Sequence, residues 1–475
     1  MADLKKSLGF FQLLALGVAG VIGSSWIYTN SAFFTKYGAG GMIFGLLLGT
    51  ALAACVALAY SELTSLFPRA GGEVVYAYTI LGRAFGFVTG WLLIGAYMSS
   101  TAFYVTAFGL LLGKFMPVMD QYPLYSIAGE AVTAPVLLAG VILTLLIFAL
   151  NWFGVEVGGQ VQVILFATMM VIGLALITVG LGAGSPSNFW PPYRPDQNAV
   201  ADTLRFVVPG MTYMAGFGLV AVLAEDANLP PKKIASAVVL TVLTAGAFYS
   251  LVLLSSAWVL PWEQVAQMDL GTIDAFRVAG FPLLGWGAFA VAILGLLTSF
   301  LGLFIATSRI VVAMGRAGLL PASLAEVHAG SGVPRRALVF VATVTLALGW
   351  LGKGAVVWFL DTGGIYLGLV WILVVTAKYA LPKKYPHLAS KRRFNASWVP
   401  AVGALGAAAI IVLTLLPNTN MALVWPAEYI ILAMWLIIGG ILFAVSAKVP
   451  RDRALDALLG EYKETLDADR SSVTE

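Results

Sequence analysis

Residues 15–27 read ALGVAGVIGSSWI, and residues 207–218 read VVPGMTYMAGFG. Each stretch lies in an apolar run long enough to cross a bilayer. Each is nevertheless crowded with residues that a continuous helix avoids: Gly17, Gly20, Gly23, Ser24 and Ser25 in the first, Pro209, Gly210, Gly216 and Gly218 in the second. In a helix interior glycine costs about 1 kcal/mol relative to alanine, and proline about 3. A segment unwound at membrane depth leaves N–H and C=O groups that lipid cannot satisfy, so they must face a ligand, an ion or water. The amide end favours a carboxylate and the freed carbonyls favour a cation. Glycines that only let helices pack closely are the plainer reading. Interrupted segments at matching places in two halves of a chain point instead to a transporter's binding site.

The rest of the chain supports a bilayer setting. Of 475 residues, 60% are hydrophobic and 11% charged, against roughly 25% charged in a soluble domain. That excludes an ordinary water-facing surface, a disordered chain and a disulfide-stapled secreted fold; the single cysteine, Cys55, cannot form an internal bridge. A span needs about 20 mostly apolar residues. Twelve runs qualify: 11–34, 41–66, 86–112, 133–152, 161–182, 205–224, 235–260, 284–307, 337–360, 362–382, 398–416 and 425–447. The interrupted runs are first and sixth, five spans apart. With the N-terminus inside, alternation places 21 of the 27 Lys and Arg residues on the inner side, as the positive-inside rule expects. Lys5 and Lys6 precede a run too long for a signal peptide. The basic clusters lie between apolar runs, which fits membrane loops rather than a nucleic-acid surface. Residues 448–475 change character, and Leu455, Leu458 and Leu459 are spaced as a short amphipathic helix. They read as an inner tail, solvated and partly frayed.

At the end of the second span come Ala59-Tyr60-Ser61-Glu62-Leu63, Pro68-Arg69-Ala70-Gly71-Gly72, Tyr76, Tyr78, Gly82, Gly86-Phe87 and Gly90-Trp91. This strongly resembles the amino acid–polyamine–organocation (APC) permeases, in which such a stretch covers the turn between helices 2 and 3. GVIGSS resembles the helix 1 segment of that family. Asn151, Gly154-Val155 and Gln162 resemble its helix 4–5 turn, Ala224-Glu225-Asp226 with Pro230 the end of its helix 6, and Ser308-Arg309 with Gly318, Pro321, Val327 and Val333-Pro334 the stretch after its helix 8. The resemblance implies an all-α integral membrane fold of twelve transmembrane helices. Two inverted five-helix repeats, 1–182 and 183–382, have helices 1 and 6 broken; accessory helices follow at 383–447 and a cytoplasmic tail at 448–475.

It further implies a permease of the cell membrane, not an enzyme, that moves an amino acid or related amine by alternating access, with both termini cytoplasmic. By position, Val21, Ser24 and Ser25 would hold the substrate carboxylate, while Thr212, Tyr213, Ala215 and Gly216 would face its amino group and side chain. Three departures stand out. Ser25 replaces the usual third-motif Gly and is followed by bulky Trp26. Gly218 replaces a residue that is often polar or acidic. Met169 occupies the position where many proton-coupled members carry a Lys.

The acidic residues fall at span ends by this topology: Glu62, Glu73, Glu156, Glu225 and Asp226 inside, with Asp361 and Glu428 among those outside. His328 and His387 lie in inner loops. No buried acid offers itself as a proton carrier, and none would meet a dicationic substrate, which favours a neutral zwitterion. Thr298 and Ser299 sit near the middle of the eighth span. In sodium-coupled transporters of this fold such a hydroxyl pair completes an ion site with helix 1 carbonyls, here those of Ala19 and Ile22. Neutral hard oxygens suit Na+, although such hydroxyls also bond back to their own helix. Sodium coupling, proton coupling and exchange stay open, as does a transport-dead sensor or scaffold with the same fold. Trp26, Tyr97, Phe103, Tyr104, Tyr213 and Phe217 are candidates to line or gate an apolar pocket; oligomeric state cannot be read from the chain.

Overall fold

The computed structural model of the protein describes residues 4–390, 398–417, 419, 422–464 and 466–467. Lys391, Arg392, Arg393 and Arg470 of the inner basic set, the side chain of His387 and the end of the tail lie outside the described residues. Helices α1 (Phe10–Val21) and α2 (Trp26–Leu66) flank the first interruption. Helix α3 (Gly72–Tyr76) and a π turn, Ala77–Leu81, lead into α4 (Arg83–Gly113). An antiparallel hairpin of β1 (Pro123–Ile127) and β2 (Glu130–Thr133) precedes α5 (Ala134–Trp152) and α6 (Val155–Ala183). The second interruption separates α7 (Ala199–Thr212) from α8 (Leu219–Val222). There follow α9 (Pro231–Val259), the short α10 (Trp262–Val265) and α11 (Thr272–Val278), α12 (Pro282–Arg316) and α13 (Arg335–Gly349). The chain continues as α14 (Gly352–Lys384), α15 (Pro386–Ser390), α16 (Val399–Leu415), α17 (Ala427–Val445) and α18 (Arg451–Leu459).

Among the described residues, eight helices are long and apolar enough to cross a membrane, and α1 and α16 are shorter apolar helices. Large apolar side chains stay exposed on outer faces, such as Leu138, Leu145 and Leu146 on α5 and Ile437, Ile441 and Val445 on α17. In water such belts would be sticky patches; against acyl chains they are the natural surface of a multi-pass membrane protein. The core instead is built where α2 meets α7 and α9 and where α4 meets α12 and α14.

Both expected interruptions are present, and two boundaries move. The first two spans are not separated by a loop. Helix α2 starts at Trp26, carries the second half of span one, and turns a corner at Gly38, whose φ of 74° is left-handed, a conformation that glycine adopts without the Cβ clash. The ninth and tenth spans divide at Trp350-Leu351, because Gly352 at φ 71° begins α14. Asp361 to Gly364, the expected junction, lies within that helix. Asp361 therefore stands on a helix wall rather than beyond a span end. The tail is also tied down: Leu455, Leu458 and Leu459 are buried, and Arg69 donates through Nε to the Leu458 carbonyl at 3.0 Å. Burying three leucines offsets the fraying expected of a terminus.

Candidate substrate-binding site

Helix α1 ends at Val21 because the next four residues do not continue the ladder. Ile22 leaves helical geometry at ψ 89°. The opened backbone is partly satisfied by aromatic side chains. Tyr249 on α9 donates its hydroxyl to the Val21 carbonyl at 2.7 Å and accepts from the Gly23 amide at 3.2 Å. Trp26 turns its indole back to donate to the Gly23 carbonyl at 2.8 Å, and its ring meets Tyr249 edge-on at 4.9 Å. Helix α2 then begins at Trp26 with no side-chain cap, so its first amides and positive dipole end point into the space beside the break.

In the second interruption Pro209 removes a backbone donor from α7. The chain then runs through single turns from Tyr213 to Gly218 before α8. Gly216 takes φ 107°, and a Cβ there would fall 2.8 Å from the Gly20 carbonyl oxygen. The two interruptions are therefore in backbone contact. Beside them lies a hollow of about 540 Å³. All nine residues expected from the sequence line it: Val21, Ser24, Ser25, Trp26, Tyr97, Thr212, Tyr213, Ala215 and Gly216. Phe103 and Tyr104 line it too. Phe217 does not; it is buried against Tyr60 and Trp371, at 4.9 and 5.7 Å between ring centres. The wall reaches Lys36 and Asp361, both exposed, so the hollow meets the surface on their side.

Ala19, Ile22, Thr298 and Ser299 converge just behind the first interruption. Ser299 Oγ donates to the Ala19 and Ile22 carbonyls at 3.0 and 3.2 Å, and Thr298 Oγ1 lies 3.3 Å from the Ala19 carbonyl. Four neutral oxygens within hydrogen-bond reach fit a hard monovalent cation by donor type, and the Tyr104 hydroxyl stands beside Ser299 as a fifth. The same contacts also satisfy the freed carbonyls directly.

The opposite end is shut by a buried ionic layer. Glu225 receives both Nη atoms of Arg316, at 2.7 and 3.0 Å, with Arg69 Nε at 3.4 Å and the amides of Leu4 and Ala70 at 3.1 Å each. Asp226 pairs two-pronged with Arg309 at 3.0 and 2.9 Å. Burial alone would push the Glu225 carboxyl up, but Arg316 and Arg69 hold it at about 2, below its ordinary 4.5. Because the folded value is the lower one, the ionised carboxylate stabilises the fold above about pH 4.5, and that stabilisation fades as pH falls towards about 2. The melting temperature in detergent should fall across that window, and Glu225→Gln should flatten the fall; an unchanged slope in the variant would refute the assignment.

Three features of the site escaped the sequence. Tyr249 is one tyrosine in a long apolar helix, with no spacing to mark it. Asp361 and Glu428 line the hollow from α14 and α17, because helix α14 carries Asp361 inward of its own start. Glu73 is fully buried rather than placed at a wet helix end.

An amino acid permease family profile matches residues 8–443. The chain is 25% identical to the branched-chain amino acid permease BcaP of Lactococcus lactis subsp. cremoris, over 83% of this chain and 86% of that protein. It is 26% identical to the branched-chain amino acid permease BcaP of Bacillus subtilis, over 93% of each. The methylthioribose transporter of Bacillus subtilis is equally similar, 26% over 85% of this chain and 87% of that protein. Relatives at one level of identity are thus named for an amino acid and for a thio-sugar, which leaves the substrate to be argued from the hollow. With a profile match over nearly its whole length, the chain belongs to the amino acid permease family.

Proposed function

We propose that the protein is a secondary transporter of neutral, zwitterionic amino acids with apolar or aromatic side chains, working by alternating access across the cell membrane. The observation that carries this reading is the backbone contact between the two interruptions at the wall of one hollow. A zwitterion matches that arrangement end for end. Its carboxylate would sit on the uncapped amides of α2, with the Ser24 and Ser25 hydroxyls; its ammonium would meet carbonyls freed at the ends of α1 and α7. Val21, Trp26, Tyr97, Thr212, Tyr213, Ala215 and Gly216 would shape the side-chain space. The named branched-chain permeases among its relatives support an aliphatic substrate. We read the architecture as twelve spans in two inverted five-helix repeats with two added helices. The ionic layer would lie on the cytoplasmic side with both termini, and the hollow would open outward.

The test is uptake of labelled L-leucine, L-isoleucine and L-valine into proteoliposomes, with a thermal-shift screen of the twenty amino acids. A bound ligand raises the melting temperature by mass action. A protein that is stabilised by an amino acid but never moves it would be a sensor, not a carrier.

Sodium coupling is a second reading, favoured by the oxygens of Ala19, Ile22, Thr298 and Ser299. A Na+ held there would supply fixed positive charge behind the break. Replacing both Thr298 and Ser299 by alanine should then abolish sodium stimulation while leaving any sodium-independent uptake. Uptake by the unmutated protein that ignores sodium would reject this site.

A further inference from the structure

Glu73 is a buried acid that the site described so far leaves unused. It lies on α3 and is 0% exposed; the Tyr60 hydroxyl approaches its carboxyl, but no cation and no well-formed hydrogen bond satisfies either oxygen among the described residues. Its place is between the hollow and the ionic layer. On one side, a Cβ built on Gly218 would meet Glu73 Oε1 at 2.4 Å, Tyr60 at 3.3 Å and the Tyr97 hydroxyl at 3.5 Å. Tyr97 is a wall of the hollow, and Gly218 closes the second interruption. On the other side, Glu73 follows by a few residues the same turn whose Arg69 and Ala70 grip Glu225, and the Gly71 amide donates to the Val222 carbonyl of α8 at 3.0 Å. Helix α3 is therefore fastened both to the broken helix and to the closed end.

A carboxylate cannot stay ionised there cheaply. Removing an unpaired charge from water costs several kcal/mol, and such groups neutralise instead. No cation faces it. The polar groups around it are Tyr60 from α2, Tyr97 from α4 and Tyr76 from α3 itself; α8 presents only apolar side chains. The cations of neighbouring α12 and α14 are engaged elsewhere: Arg309 with Asp226 at 2.9 Å, Arg316 with Glu225 at 2.7 Å and Lys378 with Glu62 at 4.0 Å. Burial accordingly pushes the Glu73 carboxyl above the usual carboxylate range.

We infer that Glu73 is a proton-binding site, holding one proton as the neutral acid while the ionic layer is shut and releasing it to water when that layer opens. Gly218 is what makes room for it: any side chain there would run into the Glu73 carboxyl, so its absence leaves space for the acid delivered from α3. Difference in proton occupancy between the two states is what links the conformational change to a pH gradient. The inference rests on the carrier reading only for its transport arm, and its first test is independent of substrate. Infrared spectra of the purified protein at neutral pH should show the carbonyl stretch of a protonated carboxyl that is missing in Glu73→Gln. Identical spectra would overturn the site. The amide mimics the neutral acid, so the variant is expected to fold; should it fail to, the wild-type transport arm decides.

That arm uses sodium-free potassium buffers and L-leucine. Wild-type proteoliposomes should accumulate leucine under an inward proton gradient, with lumenal acidification, whereas Glu73→Gln should lose accumulation and keep leucine–leucine counterflow. Leucine transport by the wild type with no accompanying proton would overturn the inference and leave the carrier reading standing. Absence of all substrate transport would sink the carrier reading while the infrared result still judged Glu73.

Discussion

Gly216→Leu should reduce uptake to the background of empty liposomes. The position demands φ 107°, and the first side-chain carbon would already sit 2.8 Å from the Gly20 carbonyl. A β-carbon in this left-handed geometry costs roughly 1–3 kcal/mol in backbone strain. The remaining atoms of leucine would wedge the two interruptions apart or fill the space meant for substrate. Either way the ligand loses its paired helix ends, and thermal-shift stabilisation by amino acids should vanish with uptake. Gly216→Ala should keep partial activity, because only one carbon must be accommodated. Wild-type uptake by the leucine variant would reject the assignment of the hollow.

Arg309→Met should be the most destabilising single change in the ionic layer. It leaves Asp226, about as buried as a side chain can be, without its two-pronged partner. Breaking a buried ion pair from one side costs about 3–5 kcal/mol, whereas replacing both charges can be nearly neutral. The melting temperature of Arg309→Met should therefore fall by several degrees, and Asp226→Asn/Arg309→Met should recover most of the loss. A double variant as unstable as the single one would mean that the pair acts through packing and not charge.

The parts legible in the sequence were those written in backbone chemistry. Glycine, proline and serine clusters announced both interruptions; the family resemblance then supplied seven of the nine residues on the wall of the hollow, and the aromatic side chains Trp26 and Tyr97 the other two. Topology drawn from Lys and Arg positions was less informative about depth. It treats whatever lies between two apolar runs as wet, so Glu73 was placed at a helix end, although the turn after Arg69 folds inward and buries it. Hydropathy likewise misplaced the division between α13 and α14, setting it at Asp361 rather than at Trp350-Leu351. A polar Asp361 within an apolar run looks like a loop until the structure shows it facing a hollow. Tyr249 illustrates a third limit: its role in capping the α1 break depends on a neighbour more than two hundred residues away. The buried α18 is the fourth, since three leucines at helical spacing say nothing about the surface on which they land.

The docking of α18 has one practical corollary. Lys6 Nζ and Glu461 Oε1 lie 3.2 Å apart, so the segment leading into α1 and the segment following α18 are neighbours at the sealed end. Dyes attached near positions 6 and 461 would form a molecular ruler, bright in energy transfer while the seal holds and dim once it parts, reporting each turnover without touching the cargo's own path.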